Sequence, residues 1–250
     1  MKIQTAMILA GGLGTRFKEY TQDIPKPMIE ANGTPLLIHI IRIYLNFNIK
    51  NFVILAGYKK NIIESYFEGK YKKLSEVDHI YEFENSSIVT ILETGDETMT
   101  GGRIKKGFDY LNEEEAFLTY GDGIANIDID KQVKEHYKYK PLATLTAVRP
   151  PARFGSLKIM DNKVTQFNEK NHQSDDGWIN GGFFILNSEV VNFIENTSEA
   201  FEKAPLEKIS EIGKLNAYKH RGLFRPVDTI RELEILETEL TNNDFGFRLR

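Results

Sequence analysis

Residues 9–27 read LAGGLGTRFKEYTQDIPKP, and the fold is decided by how this stretch is read. An apolar run, Ala6-Met7-Ile8-Leu9-Ala10, stops abruptly at Gly11-Gly12-Leu13-Gly14. A short apolar run bounded by glycine reads as a buried strand breaking into a loop. Without a Cβ, the glycine amides can approach a ligand closely, and successive exposed N–H groups form an anion-binding concavity. Arg16 follows at once, and Lys26 stands between Pro25 and Pro27. Proline fixes its own φ and pushes the preceding residue toward an extended backbone, so Lys26 is held out stiffly. A glycine cradle, a guanidinium and a presented ammonium in one loop suit a nucleoside triphosphate. A bare turn carrying a solvated basic pair accounts for the same residues one at a time. The dinucleotide fingerprint G-x-G-x-x-G and the P-loop pattern are both missing here.

Outward from this loop, strands and helices alternate. Helical spacing of Leu36, Leu37, Ile40, Ile41, Tyr44 and Leu45 predicts a helix over 36–47, with Thr34 as polar cap and Pro35 in its first turn. Strands are expected at 52–56, 89–92, 116–120 and 143–148, with helices at 61–67, 101–110 and 129–137. That order is the signature of βαβ units around a largely parallel sheet flanked by helices. After Pro150-Pro151 short strand-like segments crowd together at 156–159, 164–167 and 178–186. They predict an antiparallel extension covering the sheet's carboxyl edge. Helices near 190–195 and 206–212, a strand at 216–220 and a last helix over 229–240 complete the chain. One domain is expected, with a core of about 1–148 and a smaller lobe with the C-terminal helices over about 149–250.

Bulk composition narrows the function classes. The chain has 250 residues, 41% of them hydrophobic, enough for one sizeable core. A formal charge of −4 argues against nucleic acid as the main partner. Cysteine is absent, which excludes disulfides, thiolate chemistry and Cys-ligated zinc and fits a reducing cytoplasm. The apolar run near the start is too short for a spanning helix, so no membrane partner is expected. The five histidines show no metal-ligand spacing, and no G-x-S-x-G elbow occurs.

Carboxylates and further cations fall where strands end. Tyr120-Gly121-Asp122-Gly123 closes the strand at 116–120, and ligands of open α/β sheets sit outside such carboxyl ends. Asp122 beside a triphosphate would hold Mg²⁺, a hard cation favouring carboxylate and phosphate oxygens; a plain turn is the alternative. Asp228 precedes the last helix, where the favoured reading is N-cap and a metal contact is the sharper one. Glu169-Lys170 ends a strand and could meet a second anionic substrate, or pair on the surface. Asn180-Gly181-Gly182 interrupts an apolar strand and marks a bulge or close ligand approach. Thr100-Gly101-Gly102-Arg103 opens a helix whose exposed amides offer an anion contact. Trp178 reads as core or as the wall of a pocket.

Taken together, LAGGLGTR with PKP, then YGDG, EK, NGG and a late Asp before a helix, resemble the sugar-1-phosphate nucleotidylyltransferases. GDETMTGGR (95–103), TYGDGIANID (119–128), RPPARFGSL (149–157) and INGGFFILN (179–187) resemble the branch that transfers a cytidylyl group to glucose 1-phosphate. The resemblance covers nearly the whole chain. It implies a Rossmann-like α/β domain with a β-rich sugar-binding lobe, CTP and a sugar 1-phosphate as partners, and Mg²⁺ as cofactor. By matched positions, Leu9, Gly11, Gly12, Gly14 and Thr15 would hold the nucleotide, with Gly101 and Gly102 beside its base and ribose. Arg16 and Lys26 would grip the phosphates, and Asp122 and Asp228 would share the metal. Lys170 would bind the sugar phosphate, with Gly155, Glu169 and Asn180 around the sugar. The family's Glu-Lys-Pro is Glu169-Lys170-Asn171 here, which leaves that loop less rigid. UTP or dTTP, another phosphomonoester, a homo-oligomer, and a non-catalytic sugar-nucleotide sensor remain open.

Overall fold

The computed structural model describes residues 3–12, 23–75, 77–149, 156–168 and 177–246. Strand β1 (Thr5–Ala10) is buried along its whole length. Strand alternation sends Ala6, Ile8 and Ala10 into one apolar cluster and Met7 and Leu9 into another, so β1 lies at the centre of a sheet covered on both faces.

A single 3-10 turn (Lys26–Met28) and a tight pair, β2 (Glu30–Ala31) and β3 (Thr34–Pro35), lead to helix α1 (Leu36–Leu45). Pro35 is its N-cap and no side chain caps it, so Thr34 belongs to β3 and does not serve as the expected polar cap. Next come β4 (Asn51–Ala56), α2 (Lys60–Lys70), β5 (Lys72–Lys73), β6 (Ile80–Phe83) and β7 (Ser87–Glu93). Helix α3 (Thr100–Leu111), β8 (Glu115–Tyr120), β9 (Gly123–Ala125), α4 (Ile129–Tyr139) and β10 (Ala143–Val148) follow. The remainder is β11 (Ser156–Met160), β12 (Lys163–Asn168), β13 (Ile179–Asn187), a 3-10 stretch (Ser188–Phe193), α5 (Ala204–Glu211), β14 (Leu215–Lys219), β15 (Phe224–Pro226) and α6 (Ile230–Asn242).

Among the described residues nine strands form the main sheet, in the order β14-β10-β13-β8-β1-β4-β7-β6-β5. Only β13 and β6 run against the others, which agrees with the mixed, largely parallel α/β sheet expected from the alternation of elements. One expectation is corrected. The run at 178–186 is no cover over the sheet's edge: as β13 it is inserted between β8 and β10, inside the sheet. Phe183 and Ile185 point to one apolar cluster and Phe184 and Leu186 to the other, so this strand is buried on both faces, a property its unbroken apolar run shares with parallel strands. The hairpin β11–β12 stands apart from the main sheet.

Helices α1, α2, α4 and α6 supply buried side chains to the first cluster, α3 and α5 to the second. Among the described residues no helix is long and apolar enough to cross a membrane.

Candidate active site

The carboxyl ends of β1 and β8 are neighbours in the sheet, with Leu9 paired to Tyr120. Beyond these ends opens a cavity of about 420 Å³, within the range of small-molecule sites. Its walls come from Leu9, Gly11 and Gly12 after β1, Lys26 and Pro27, the segment 96–100 with Arg103, and Tyr120-Gly121-Asp122. Gly121 is required by close approach: a Cβ there would lie 2.6 Å from the Leu9 carbonyl oxygen and 2.7 Å from Pro27 Cγ.

Lys26 is the electrostatic centre of the site. Pro25 holds the backbone ahead of it extended, at φ −70° and ψ 147°, and the 3-10 turn aims the side chain inward. Lys26 is 8% exposed, and its ammonium donates to Asp122 Oδ2 at 2.7 Å and to Asp228 Oδ1 at 2.6 Å. Burial alone would lower the lysine's pKa, but the charge and hydrogen bonds of Asp122 and Asp228 outweigh it and raise the pKa above its ordinary 10.5.

Asp228 reaches this point because β15 pairs with β9, Pro226 opposite Gly123, and the Val227 amide donates to the Asp122 carbonyl at 3.0 Å. The favoured sequence reading of Asp228 as helix cap is corrected here. Thr229 caps α6, accepting from the Glu232 amide, and Glu232 Oε2 accepts from the Asp228 amide at 2.9 Å. Thr229-x-x-Glu232 has the sequence of a capping box, readable but passed over, with Glu232 reaching back to the amide one residue before the cap. With capping assigned to Thr229, the Asp228 carboxylate is left for the cavity.

Arg103 lies against Gly11, 3% exposed. It donates to the Gly11 carbonyl at 2.8 Å, to the Ala56 carbonyl at 3.2 Å and to Thr94 Oγ1. A Cβ at Gly11 or Gly57 would run into its guanidinium. Arg103 thus has a structural duty, charge-assisted bonds to the carbonyls of Gly11 and Ala56.

Gly101 and Gly102 do not line the cavity. The Gly101 amide, expected to be exposed, donates to the Glu199 carbonyl at 3.0 Å, and a Cβ at Gly102 would lie 2.7 Å from Thr197. The adjacent Thr98, Met99 and Thr100 form the wall instead. Asn180 connects to the cavity through Tyr120, donating to the tyrosine hydroxyl at 3.1 Å while that hydroxyl donates to Glu202 Oε1 at 2.7 Å. Burial, then the Glu202 charge, push the Tyr120 pKa far up, so the phenol remains a neutral donor.

Of the expected site residues, Leu9, Gly11, Gly12, Lys26 and Asp122 meet at the cavity, and Asp228 joins them through Lys26. Gly14, Thr15, Arg16, Gly155, Glu169 and Lys170 lie outside the described residues. Sequence reasoning gave no role to Tyr120, although it opens the YGDG motif, and missed Glu202, which stands in no motif. Among the described residues no three His, Cys, Asp or Glu side chains gather to hold a metal, and the two carboxylates at this point, Asp122 and Asp228, both pair with Lys26.

The profile of the nucleotidyl transferase family matches residues 5–222. Glucose-1-phosphate cytidylyltransferase of Salmonella typhi is 43% identical over 242 residues, covering 93% of this chain and 94% of that protein. A probable glucose-1-phosphate cytidylyltransferase of Bacillus subtilis (strain 168) is 39% identical over 238 residues, covering 91% and 92%. In overall shape the chain is similar to the crystal structure of HddC from Yersinia pseudotuberculosis, with a TM-score of 0.72 at 24% identity over 95% of this chain and 99% of that one.

Proposed function

The chain belongs to the nucleotidyl transferase family, and from that premise we propose that it joins CTP and glucose 1-phosphate, giving CDP-glucose and pyrophosphate. The observation that carries this reading is the meeting of Lys26, Asp122 and Asp228 at the rim of a cavity closed by the glycine turn. The substrate pair comes from the cytidylyltransferases of Salmonella typhi and Bacillus subtilis, which match this chain nearly end to end.

The chemistry is a displacement. A phosphate oxygen of glucose 1-phosphate forms a bond to the α-phosphorus of CTP, the bond from that phosphorus to the bridging oxygen breaks, and the electron pair leaves with pyrophosphate. A phosphate monoester oxygen is an adequate nucleophile at neutral pH, so no side chain has to remove a proton. What the protein must supply is alignment and positive charge. Positioning of two reactants is worth up to about 7–11 kcal/mol in well-aligned systems, and fixed cations at the transferring group add a further large share.

In this reading Gly11 and Gly12 admit the triphosphate, and Arg16 and Lys26 hold its phosphates. Lys170 neutralises the incoming sugar phosphate, while Gly155, Glu169 and Asn180 face the sugar. Asp122 and Asp228 already converge on one positive charge, the arrangement that a shared Mg²⁺ requires. Mg²⁺ takes one or two carboxylates and completes its sphere with water and phosphate oxygens, so a two-carboxylate set suits it. When bound, it would neutralise charge on the triphosphate.

A panel of CTP, UTP, dTTP, ATP and GTP against several sugar 1-phosphates, scored by pyrophosphate release, tests the reading. CTP with glucose 1-phosphate should give the highest kcat/KM. A higher value with UTP or dTTP overturns the base assignment. Tight product binding without turnover of any pair overturns the enzyme in favour of a sensor.

A further inference from the structure

Beside the nucleotide cavity, the sheet carries a second concentration of charge that the transfer chemistry above does not use. In the register of β14, β10 and β13, Lys219, Ala147 and Asn180 lie side by side. Two residues further out along each strand come Arg221, Arg149 and Trp178. Side chains two apart share a face of a strand, and directly paired side chains share a face of a sheet, so these residues come together. The three cations surround one ring: Arg149 lies 4.9 Å, Arg221 5.6 Å and Lys219 5.7 Å from the Trp178 indole. Trp178 and Arg149 are half-buried, while Lys219 and Arg221 are exposed. Among the described residues no carboxylate pairs with Lys219 or Arg221.

An indole holds cations by its quadrupole and leaves their charge intact, unlike a carboxylate. Lys219 and Arg221, held against that ring and exposed, therefore keep a net attraction for an anion. The patch also adjoins the cavity. Asn180, on the same face as Trp178, donates to the Tyr120 hydroxyl, and Tyr120 lines the cavity wall. With an overall charge of −4, the molecule concentrates positive charge here against its own background.

The geometry points to a phosphate-docking site formed by Trp178, Arg149, Lys219 and Arg221, which receives a phosphorylated reactant at the mouth of the cavity. This inference rests on the transfer reaction for the class of its ligand, a phosphate dianion. The incoming sugar phosphate and the outgoing pyrophosphate share that chemistry.

Trp178 is the only tryptophan in the chain, so its emission reports on the patch directly. The full-length protein is titrated with inorganic phosphate, glucose 1-phosphate and neutral glucose, without nucleotide. Both phosphates should change the emission saturably and glucose should not. Because Lys219 and Arg221 are exposed, the Lys219→Ala, Arg221→Ala double variant should fold, and it should bind phosphate at least about fivefold more weakly. The response should also weaken with added salt. No saturable response to phosphate, an equal response to glucose, or a double variant that titrates like the parent each overturns the site.

Kinetics separates the two sources. A raised KM for glucose 1-phosphate with KM for CTP unchanged assigns the patch to the acceptor. A raised inhibition constant for pyrophosphate, with the acceptor KM unchanged, assigns it to the product. If neither constant moves, the docking role is overturned. The fluorescence arm needs no turnover, so phosphate binding at Trp178 in a protein that transfers no nucleotide would refute the reaction and leave the site standing.

Discussion

Lys26 and Asp228 are 202 positions apart in the chain and joined by a 2.6 Å ion pair at the rim of the cavity. Asp122, 96 positions from Lys26, completes the set from the other side. Lys26→Met should lower turnover at least about 10²-fold. Removing the ammonium also leaves two carboxylates facing each other without a counter-charge. Added Mg²⁺ should therefore raise the Tm of Lys26→Met more than that of the parent. Equal Mg²⁺ shifts in the two proteins would show that the carboxylates do not share a cation.

Arg103 bonds the Gly11 and Ala56 carbonyls. Arg103→Met removes hydrogen bonds to a charged group, each worth about 1.5–3 kcal/mol. The expected outcome is a KM for CTP raised at least about tenfold, one bond's worth of binding energy. The KM for the sugar phosphate should hardly move. Equal increases in both constants would mean that Arg103 supports the whole site and not the nucleotide turn.

Thr229 caps α6, and the Asp228 carboxylate, with no capping duty, pairs with Lys26. Thr229→Ala should cost about 1 kcal/mol of stability, the usual value of an N-cap. Turnover should fall as well, because Asp228 enters the site from the residue before the cap. Denaturant unfolding and steady-state kinetics on the same variant check both halves. A stability loss with full activity would separate the cap from the placement of Asp228.

His39, His136 and His220 are all buried, and burial holds each pKa below its ordinary 6.5 despite hydrogen bonds that oppose the shift. Depressed histidines are neutral in the folded protein and charged in the unfolded chain at mild acidity. Their contribution to stability is complete above the unfolded value of 6.5 and is lost as pH falls through it toward the folded-state values. Tm should decline from pH 7 to pH 5, with each histidine adding up to about 1.4 kcal/mol per pH unit. His136→Gln should flatten the decline. A Tm that stays level to pH 5 would mean that these side chains are protonated in the fold.

Most of the architecture was legible because burial imposes period and length on a sequence. The run 6–10 ends at glycine, the helical spacing from Leu36 to Tyr44 is regular, and Ala143–Val148 starts and stops where expected. The edge strand β5 escaped notice because Lys72 and Lys73 are exposed and show no alternation. The place of β13 was misread for a related reason. A strand buried on both faces looks alike whether its neighbours run with it or against it, and only the hydrogen-bond register decides.

The glycine turn, the Lys26 between prolines and the Asp122 at a strand end follow from local chemistry, since backbone freedom, stiffness and strand termination act over a few residues. They pointed to the family and to residues that meet at the cavity. Tertiary structure alone decided that Thr229 takes over capping, that Arg103 braces Gly11, that Tyr120 links Asn180 to the cavity, and that three cations meet on Trp178. Those contacts join residues that are distant in the chain or lie on neighbouring strands. Their existence depends on how strands are ordered and paired, which no local pattern of side chains encodes.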